Sequence, residues 1–286
     1  MVTLKPFSPP FAAEFGGLDL HRSISLADQE RLIAAFAEYP VLVFPSQRID
    51  DVQQIAFSER FGDLETTKPG TVGAGSKVVV LTNVGSDGDI VATNHRQTLN
   101  GRANQQWHTD SSFKKIAAKA SVLSARVLPK TGGQTEFICM RTVYRELPGH
   151  LKQCIEGRVC IHDYAHGRGK IDPNFVTNEE RATLPPVRQA MVLDHGIRGK
   201  SLYIGAHCVE VVDMDPAESQ SLIDELTSFA TQEQFIYRHH WRPHDMIMWD
   251  NRATLHRASP FSSATEKRYM VRTTIAGDAP TIANGA

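Results

Sequence analysis

At 286 residues, with 41% hydrophobic and 22% charged side chains, the chain is long enough for one large domain or two small ones with a sizeable core. A formal net charge of −1, with basic runs no longer than pairs such as Lys114-Lys115, argues against nucleic acid or an anionic membrane as the main partner. No apolar run approaches the roughly 20 residues that span a bilayer, and the proline-interrupted N-terminus MVTLKPFSPPFAAEFGG has no signal-peptide core. Cys139, Cys154, Cys160 and Cys208 lack C-x-x-C spacing and read as free thiols in a reducing, cytoplasmic compartment.

Residues 4–20 alternate polar and apolar around Pro and Gly and predict an early strand or extended arm. Leu26–Glu38 carries apolar residues at helical spacing behind a Ser25 N-cap, and Pro40 ends it. Val41–Phe44 predicts a short buried strand. Asp50 or Asp51 then caps a second helix, Val52 to Phe61, closed by Gly62. Residues 65–77 read as loop, Val78–Leu81 as a strand, and Gly85–Gly88 as a turn. The polar, irregular stretch 92–106 reads as a surface loop or lid.

Beyond it, strands are expected at Ala120–Val127 and Gln134–Cys139, around a Pro-Lys-Thr-Gly-Gly turn. Helices follow at Thr142–Leu147 and Leu151–Ile155, then a long excursion over 163–186. Strands resume at Ala190–Asp194 and Leu202–Gly205. Pro216–Ala230 is an amphipathic helix with Leu222, Ile223, Leu226 and Phe229 on one face. Three strands close the chain: Phe235–His239, Met246–Trp249 and Met270–Ile275. Early helices and late, short strands without βαβ alternation predict an α+β or β-sandwich core with decorating helices, not a Rossmann sheet. With no repeat and no composition break, a single domain over 1–286 is expected, with loop insertions around 65–104 and 163–186.

The chemistry concentrates in two stretches. In NQQWHTD (104–110), His108 and Asp110 are two apart, so on a strand both side chains point to one face. One more imidazole would complete the two-His-one-carboxylate set of non-haem Fe(II) oxygenases. A lone His-x-Asp pair is about what chance supplies, so the weight falls on the second stretch. There the strand Met246–Trp249 runs through an Asp-Asn-Arg turn to His256. Extended backbone over 268–275 would put Arg268, Met270, Arg272 and Thr274 on one face. Inward guanidiniums need anions to meet them.

Taken together, WHTDSSF, GGQTEF, MWDNRATLH and the closing RYMVRTT, in that order, resemble the Fe(II)- and 2-oxoglutarate-dependent dioxygenases of the taurine/2,4-dichlorophenoxyacetate dioxygenase family. The resemblance runs from PVLVFPSQ and DVQQIAFSERFG to the end of the last strand. NQQWHTDSSF, TGGQTEF, YIGAH and FIYRHHW are closer to the 2,4-dichlorophenoxyacetate branch than to the taurine branch. It implies a double-stranded β-helix, or jelly-roll, core with flanking helices. It also implies Fe(II), held by His108, Asp110 and His256, with 2-oxoglutarate and O2 as cosubstrates. Thr135 and Arg268 would hold the distal carboxylate of 2-oxoglutarate, as suits a hydroxyl and an always-charged forked donor. Arg272 would bind the acidic group of the substrate or assist the cosubstrate, Asn104 would sit near the open metal positions, and His207 would touch substrate. Trp107 and Trp249 read as packing around the ligands, and His239, His240 and His244 as structural or surface residues. Lys68 and His95 fall in variable loops to which no role transfers.

The expected activity is hydroxylation of a small anionic substrate, coupled to decarboxylation of 2-oxoglutarate to succinate. An aryloxyalkanoate is favoured, with ether cleavage to a phenol and glyoxylate or a keto acid. A taurine-like sulfonate dioxygenase is the alternative. A zinc hydrolase with the same ligands would leave Thr135, Arg268 and Arg272 unexplained, and a non-enzymatic jelly-roll anion binder would leave the ligands incidental. A homo-oligomer is compatible with the sequence, which does not set the oligomeric state.

Overall fold

The computed structural model describes residues 2–68 and 71–282. Positions 69 and 70 of the expected 65–77 loop, and 283–286 of the expected domain, lie outside the described residues. In chain order the elements are β1 (Thr3–Pro6), β2 (Ala12–Gly16), α1 (Leu26–Glu38), β3 (Val41–Phe44), α2 (Asp51–Ser58), β4 (Val79–Thr82), α3 (Arg96–Ala103) and β5 (Ala120–Val127). There follow β6 (Thr135–Cys139), α4 (Met140–Glu146), α5 (Gly149–Ile155), β7 (Val159–His162), α6 (Tyr164–Gly169), α7 (Asn178–Thr183), β8 (Val187–Ala190) and β9 (Val192–Asp194). The chain ends with β10 (Lys200–Leu202), β11 (Cys208–Val211), α8 (Pro216–Ala230), β12 (Ile236–His239), β13 (Met246–Asp250), β14 (Thr254–Ala258) and β15 (Tyr269–Ile275).

Two sheets make the centre. A seven-stranded sheet runs β1-β2-β3-β13-β5-β15-β4, and a three-stranded sheet runs β12-β6-β14. All pairs in both are antiparallel except β2 with β3. Strand alternation sorts the side chains. Val41, Val43, Leu123, Ala125, Ile247, Trp249 and Met270 point from the large sheet onto Phe137, Cys139 and Tyr237 of the small one, so the two pack face to face. The other face of the large sheet, with Leu42, Phe44, Val122 and Met248, buries Leu32 and Ala35 of α1 and Phe57 of α2. The outer face of the small sheet, with Ile138, Ile236 and Leu255, buries the apolar stripes of α4 and α8. Helices therefore close both outer faces of a mixed α/β body, and polar work is left to the ends of the inner space.

The helical caps follow simple chemistry. Ser25 accepts from the Asp28 N–H, and Asp50 and Gln53 form a reciprocal capping box at α2. The expected helix from Val52 to Phe61 tightens into a 3-10 turn at Glu59–Phe61 before Gly62. Several expectations need correction. The stretch 92–106 is not irregular throughout: α3 forms there, capped by the His95 ring, which accepts from the Gln97 N–H at 3.2 Å. The 163–186 excursion holds α6 and α7, the latter behind a Thr177/Glu180 capping box. Ala190–Asp194 is two strands broken at Met191, and the strand expected over Leu202–Gly205 ends at Leu202. No helix among the described residues is long and apolar enough to cross a membrane.

Candidate metal centre

His256 sits in β14, not beyond it, and an isolated antiparallel bridge joins it to His108. The two residues exchange backbone hydrogen bonds, His108 N to His256 O at 3.0 Å and His256 N to His108 O at 2.8 Å. This pairing sets the two imidazoles side by side, centroids 4.2 Å apart and planes tilted by 46°. Asp110, two residues on, brings Oδ1 to 4.0 Å from His108 Nε2 and Oδ2 to 3.7 Å from His256 Nε2. The three donor atoms lie within 4.8 Å of one another, and all three residues are buried.

Protonation suits metal binding. His108 Nδ1–H donates to the Gln106 carbonyl at 2.8 Å, which leaves the Nε2 lone pair facing the cluster. Burial pulls both imidazoles below the usual histidine range, His256 the further, and so favours the neutral, coordinating form. Burial alone would push the Asp110 carboxyl up. The Arg272 guanidinium and the two imidazoles overcome it and hold Asp110 ionised well below the carboxylate range. Two neutral nitrogens and one anionic oxygen converging from one side are the donor set of a facial triad, which leaves positions open for other ligands.

Asn251, in the turn between β13 and β14, organises this cluster. Its Oδ1 accepts from Trp249 Nε1 at 2.8 Å and from the Asp110 N–H at 3.3 Å, and its carbonyl accepts from Thr109 Oγ1 at 2.5 Å. Its Nδ2 donates to Ser121 Oγ at 2.9 Å, and Ser121 in turn donates to Asp110 Oδ2 at 2.7 Å. The carboxylate is thereby fixed from β5 and from the β13–β14 turn together. Trp249 closes the side, its ring 4.7 Å from that of His256.

The triad opens into a cavity of about 510 Å³ that Thr135, Arg268, Arg272, Asn104 and His207 also line. Arg268 is 8% exposed, its Nε has no partner, and NH2 has only a marginal 3.5 Å contact to the Gly133 carbonyl. Among the described residues no carboxylate lies within salt-bridge distance of it. Burial pulls its pKa down to about 10, which still leaves it charged at neutral pH. Gly133 supplies the room: at φ +68° it takes a left-handed turn, and a Cβ there would lie 2.9 Å from Pro129 and 3.4 Å from Arg268 Nε. Trp241 Nε1 donates to Thr135 Oγ1 at 3.0 Å, so the Thr135 proton is free to donate elsewhere. The Trp241 ring is braced edge-on by His239, which contacts Asp245 at 3.1 Å. A buried, unpaired guanidinium beside a hydroxyl is a socket for a small carboxylate.

Arg272, expected from the resemblance to bind the substrate's acidic group or assist the cosubstrate, lines the cavity and meets an anion of the chain itself. Its NH1 donates to Asp110 Oδ1. After Arg268, a second cation without a carboxylate partner among the described residues is Arg168, in the 163–186 excursion, which sequence reasoning missed; its NH1 has only a 3.5 Å contact to the Asn100 carbonyl. It lines the cavity, stacks on Tyr164 and Phe175 at 5.5 and 5.6 Å, and has no partner at Nε. His207 is buried, with Phe113 edge-on at 4.9 Å, its Nδ1 unpartnered and its imidazole kept neutral by burial. Gly205 places it: a Cβ there would lie 3.3 Å from His108 Cα and 3.4 Å from the Trp107 carbonyl, so only glycine lets YIGAH lie against WHT. Lys68 and Arg96, which precede His108 in the chain, both bind Glu180 of α7, and Lys68 also covers the Tyr164 ring at 4.4 Å.

Comparison with known proteins agrees in kind. The model of the taurine catabolism dioxygenase TauD, TfdA family matches residues 3–274. The chain is 36% identical over 281 residues to the alpha-ketoglutarate-dependent 2,4-dichlorophenoxyacetate dioxygenase of Cupriavidus pinatubonensis, covering 96% of this chain and 98% of that one. It is 34% identical over 283 residues to the (S)-phenoxypropionate/alpha-ketoglutarate-dioxygenase of Sphingobium herbicidovorans, covering 94% of each. The crystal structure of AAD-2 in complex with Mn(II) and N-oxalylglycine superposes with a TM-score of 0.91 at 37% identity, over 99% of this chain and 100% of that one.

Proposed function

The chain belongs to the taurine catabolism dioxygenase TauD, TfdA family, and from that premise we propose that it is an Fe(II)- and 2-oxoglutarate-dependent dioxygenase acting on a small aryloxyalkanoate. One observation carries the reading: a buried arginine without a carboxylate partner, Arg268, opens on the same cavity as a His-Asp-His donor set. A hydrolytic zinc site needs no such socket. The two facing sheets are then the double-stranded β-helix of the family, in a single domain, and the free thiols fit the cytoplasm.

His108, Asp110 and His256 would hold the iron. When bound, it supplies the oxidative decarboxylation of 2-oxoglutarate by O2, giving succinate and CO2, and the hydroxylation of a substrate C–H bond. The protein's own part is orientation and exclusion. Arg268 and Thr135 bind the distal carboxylate of 2-oxoglutarate and so aim its keto-acid end at the triad. Asn251 and Ser121 keep the Asp110 carboxylate turned toward the imidazoles. Phe113, Tyr164 and Leu184 offer apolar surface to an aryl body, and Arg168, with Arg272 beside it, offers positive charge to the substrate's carboxylate. Hydroxylation at the carbon between ether oxygen and carboxylate gives a hemiacetal. This collapses to a phenol and glyoxylate, or to a keto acid where that carbon carries an alkyl group, so no hydrolytic residue is required.

The test is a panel of aryloxyalkanoates, alkylsulfonates and uncharged aryl ethers, scored for succinate and phenol release. Aryloxyalkanoates should release both in step. Preference for sulfonates would move the protein to the taurine-like alternative, and equal turnover of the uncharged ethers would remove the anion-recognition role of Arg168. In an anaerobic titration with Fe(II) and 2-oxoglutarate, absence of a visible metal-to-ligand charge-transfer band would overturn the dioxygenase assignment itself.

A further inference from the structure

A second cluster of ligating side chains lies outside the His-Asp-His site. Cys160 and His162 are two apart on β7 and share a face; Cys208, at the start of β11, is the register partner of His162. Cys160 Sγ lies 3.2 Å from His162 Nε2, and the three donor atoms are within 4.8 Å of one another. Cys160 and His162 are fully buried and Cys208 is 4% exposed. Buried cysteines alone are ordinary small hydrophobes. His162 is not explained that way. Its Nδ1 has no hydrogen-bond partner, and its ring is clamped under Tyr203 at 5.6 Å and 13°. Strand packing would be served by an apolar side chain at that position.

We propose that Cys160, His162 and Cys208 form a second metal site, for a thiophilic d10 ion, with zinc the occupant the charge favours. Two thiolates and a neutral imidazole exactly offset the charge of a divalent ion, so the loaded site would carry no net charge into the core. Sulfur and imidazole donors together select zinc over the hard cations, and Fe(II) prefers the nitrogen and carboxylate set of the other site. Zinc bonded at about 2.3 Å to sulfur and 2.0 Å to nitrogen holds tetrahedral donors roughly 3.5–3.8 Å apart, so the Cys160–His162 pair, at 3.2 Å, would open slightly and the remaining pairs, within 4.8 Å, would close by about 1 Å at most. Three protein donors leave a fourth position for water. The location gives the site a consequence. The Asp163 N–H, one residue past His162, donates to the His207 carbonyl at 2.8 Å, and His207 directly precedes Cys208. Metal there would pin β7 to β11 behind the cavity wall that carries His207.

The test is a Co(II) titration of the reduced, metal-stripped full chain, reading near-ultraviolet thiolate-to-cobalt charge transfer. The His-Asp-His site has no thiolate and cannot give this absorption. The wild type and Asp110→Ala should both develop the band with one equivalent of Co(II) assigned to it, and Zn(II) should bleach it. Cys208→Ser and Cys160→Ser should lose it, and Cys154→Ser, at an exposed position, should keep it. Zn(II) should also raise the thermal midpoint of Asp110→Ala but not of Asp110→Ala/Cys208→Ser. No band in the wild type, or a band that survives Cys160→Ser/Cys208→Ser, overturns the proposal. Should the serine variants fail to fold, the wild-type and Asp110→Ala titrations decide it alone.

Discussion

The floor of the cavity and its lid are built by different means. On the floor, His108 and His256 are placed by reciprocal backbone bonds at 3.0 and 2.8 Å, and Asp110 is held by Ser121 and Asn251 from two strand ends. The lid, from 65–68, 71–104 and 163–186, meets itself through side chains: Lys68 and Arg96 converge on Glu180, and Arg168 stacks on Tyr164 and Phe175. Backbone ladders fix geometry to within tenths of an ångström, whereas ion pairs between long side chains tolerate rearrangement. A reaction whose hard step is the same for every substrate belongs on the first, and substrate choice on the second. Changes on the floor should therefore abolish chemistry, and changes in the lid should move substrate affinity while sparing the cosubstrate.

The largest effect is expected at the triad. Asp110→Ala or His256→Ala should reduce succinate formation to background and remove the Fe(II)/2-oxoglutarate charge-transfer band, while circular dichroism shows the fold retained. Substantial decarboxylation in either variant would break the distinction at its root.

Arg268→Ala comes next. A charge-assisted hydrogen bond to a carboxylate contributes about 1.5–3 kcal/mol, or one to two decades in affinity, so the KM for 2-oxoglutarate should rise about 10–100-fold. Arg268→Lys should recover little, because an ammonium lacks the fork. Without 2-oxoglutarate, Arg268→Ala should melt no lower than the wild type, since the buried guanidinium has no counter-ion to lose. An unchanged KM would assign the cosubstrate socket elsewhere.

The sequence made the floor far more legible than its supports. His-x-Asp and the alternation of Arg268, Arg272 and Thr274 are short-range patterns that survive in a string of letters, and His256 entered through the resemblance of MWDNRATLH to the family. Asn251 sat in view inside an Asp-Asn-Arg turn, but its four contacts come from Thr109, Asp110, Ser121 and Trp249, which only tertiary pairing unites. Ser121 reads like Ser124, yet the first faces Asp110 and the second Gln54. Helix α3 has no apolar stripe, so periodicity could not find it. Thr177 and Glu180, by contrast, spell a capping box that the polar surroundings obscured. Arg168 had no local signal at all.

Asn251→Ala sharpens the boundary of the floor. It removes the donor to Ser121 and the acceptor of the Asp110 N–H without touching a ligand. Outer partners of metal ligands are worth about 10–100-fold in metal affinity. The lower end is expected here because Ser121 still donates to Asp110. Fe(II) affinity, measured anaerobically by the charge-transfer band, should fall about tenfold, with the KM for the primary substrate little changed at saturating iron. A larger effect on substrate than on iron would place Asn251 functionally with the lid.

The smallest effect should come from Glu180→Gln, and it tests the lid's side of the comparison. Glu180 bridges the two lid segments, accepting from Lys68 at 3.0 Å and from Arg96. Burial would raise its pKa, but the bonds from Arg96, Lys68 and the Thr177 N–H outweigh this and pull it down from 4.5 to about 2. With the folded value depressed, the latch's contribution is fully present above pH 4.5 and is lost as pH falls toward 2. Through the neutral range it should therefore hold steady, and any pH dependence of substrate KM there must come from other groups. Partly exposed ion pairs contribute at most about 1 kcal/mol, so Glu180→Gln should raise the substrate KM about two- to fivefold. The KM for 2-oxoglutarate and the Fe(II) affinity should stay within error of the wild type, because the contacts of Lys68 and Arg96 with Glu180 lie apart from Arg268, Thr135 and the triad. Adding Lys68→Met to Glu180→Gln should add only the loss of the Lys68 contact with the Tyr164 ring, since the two changes share one ion pair between the segments. A Glu180→Gln variant with cosubstrate affinity lowered as much as substrate affinity would show that floor and lid move as one.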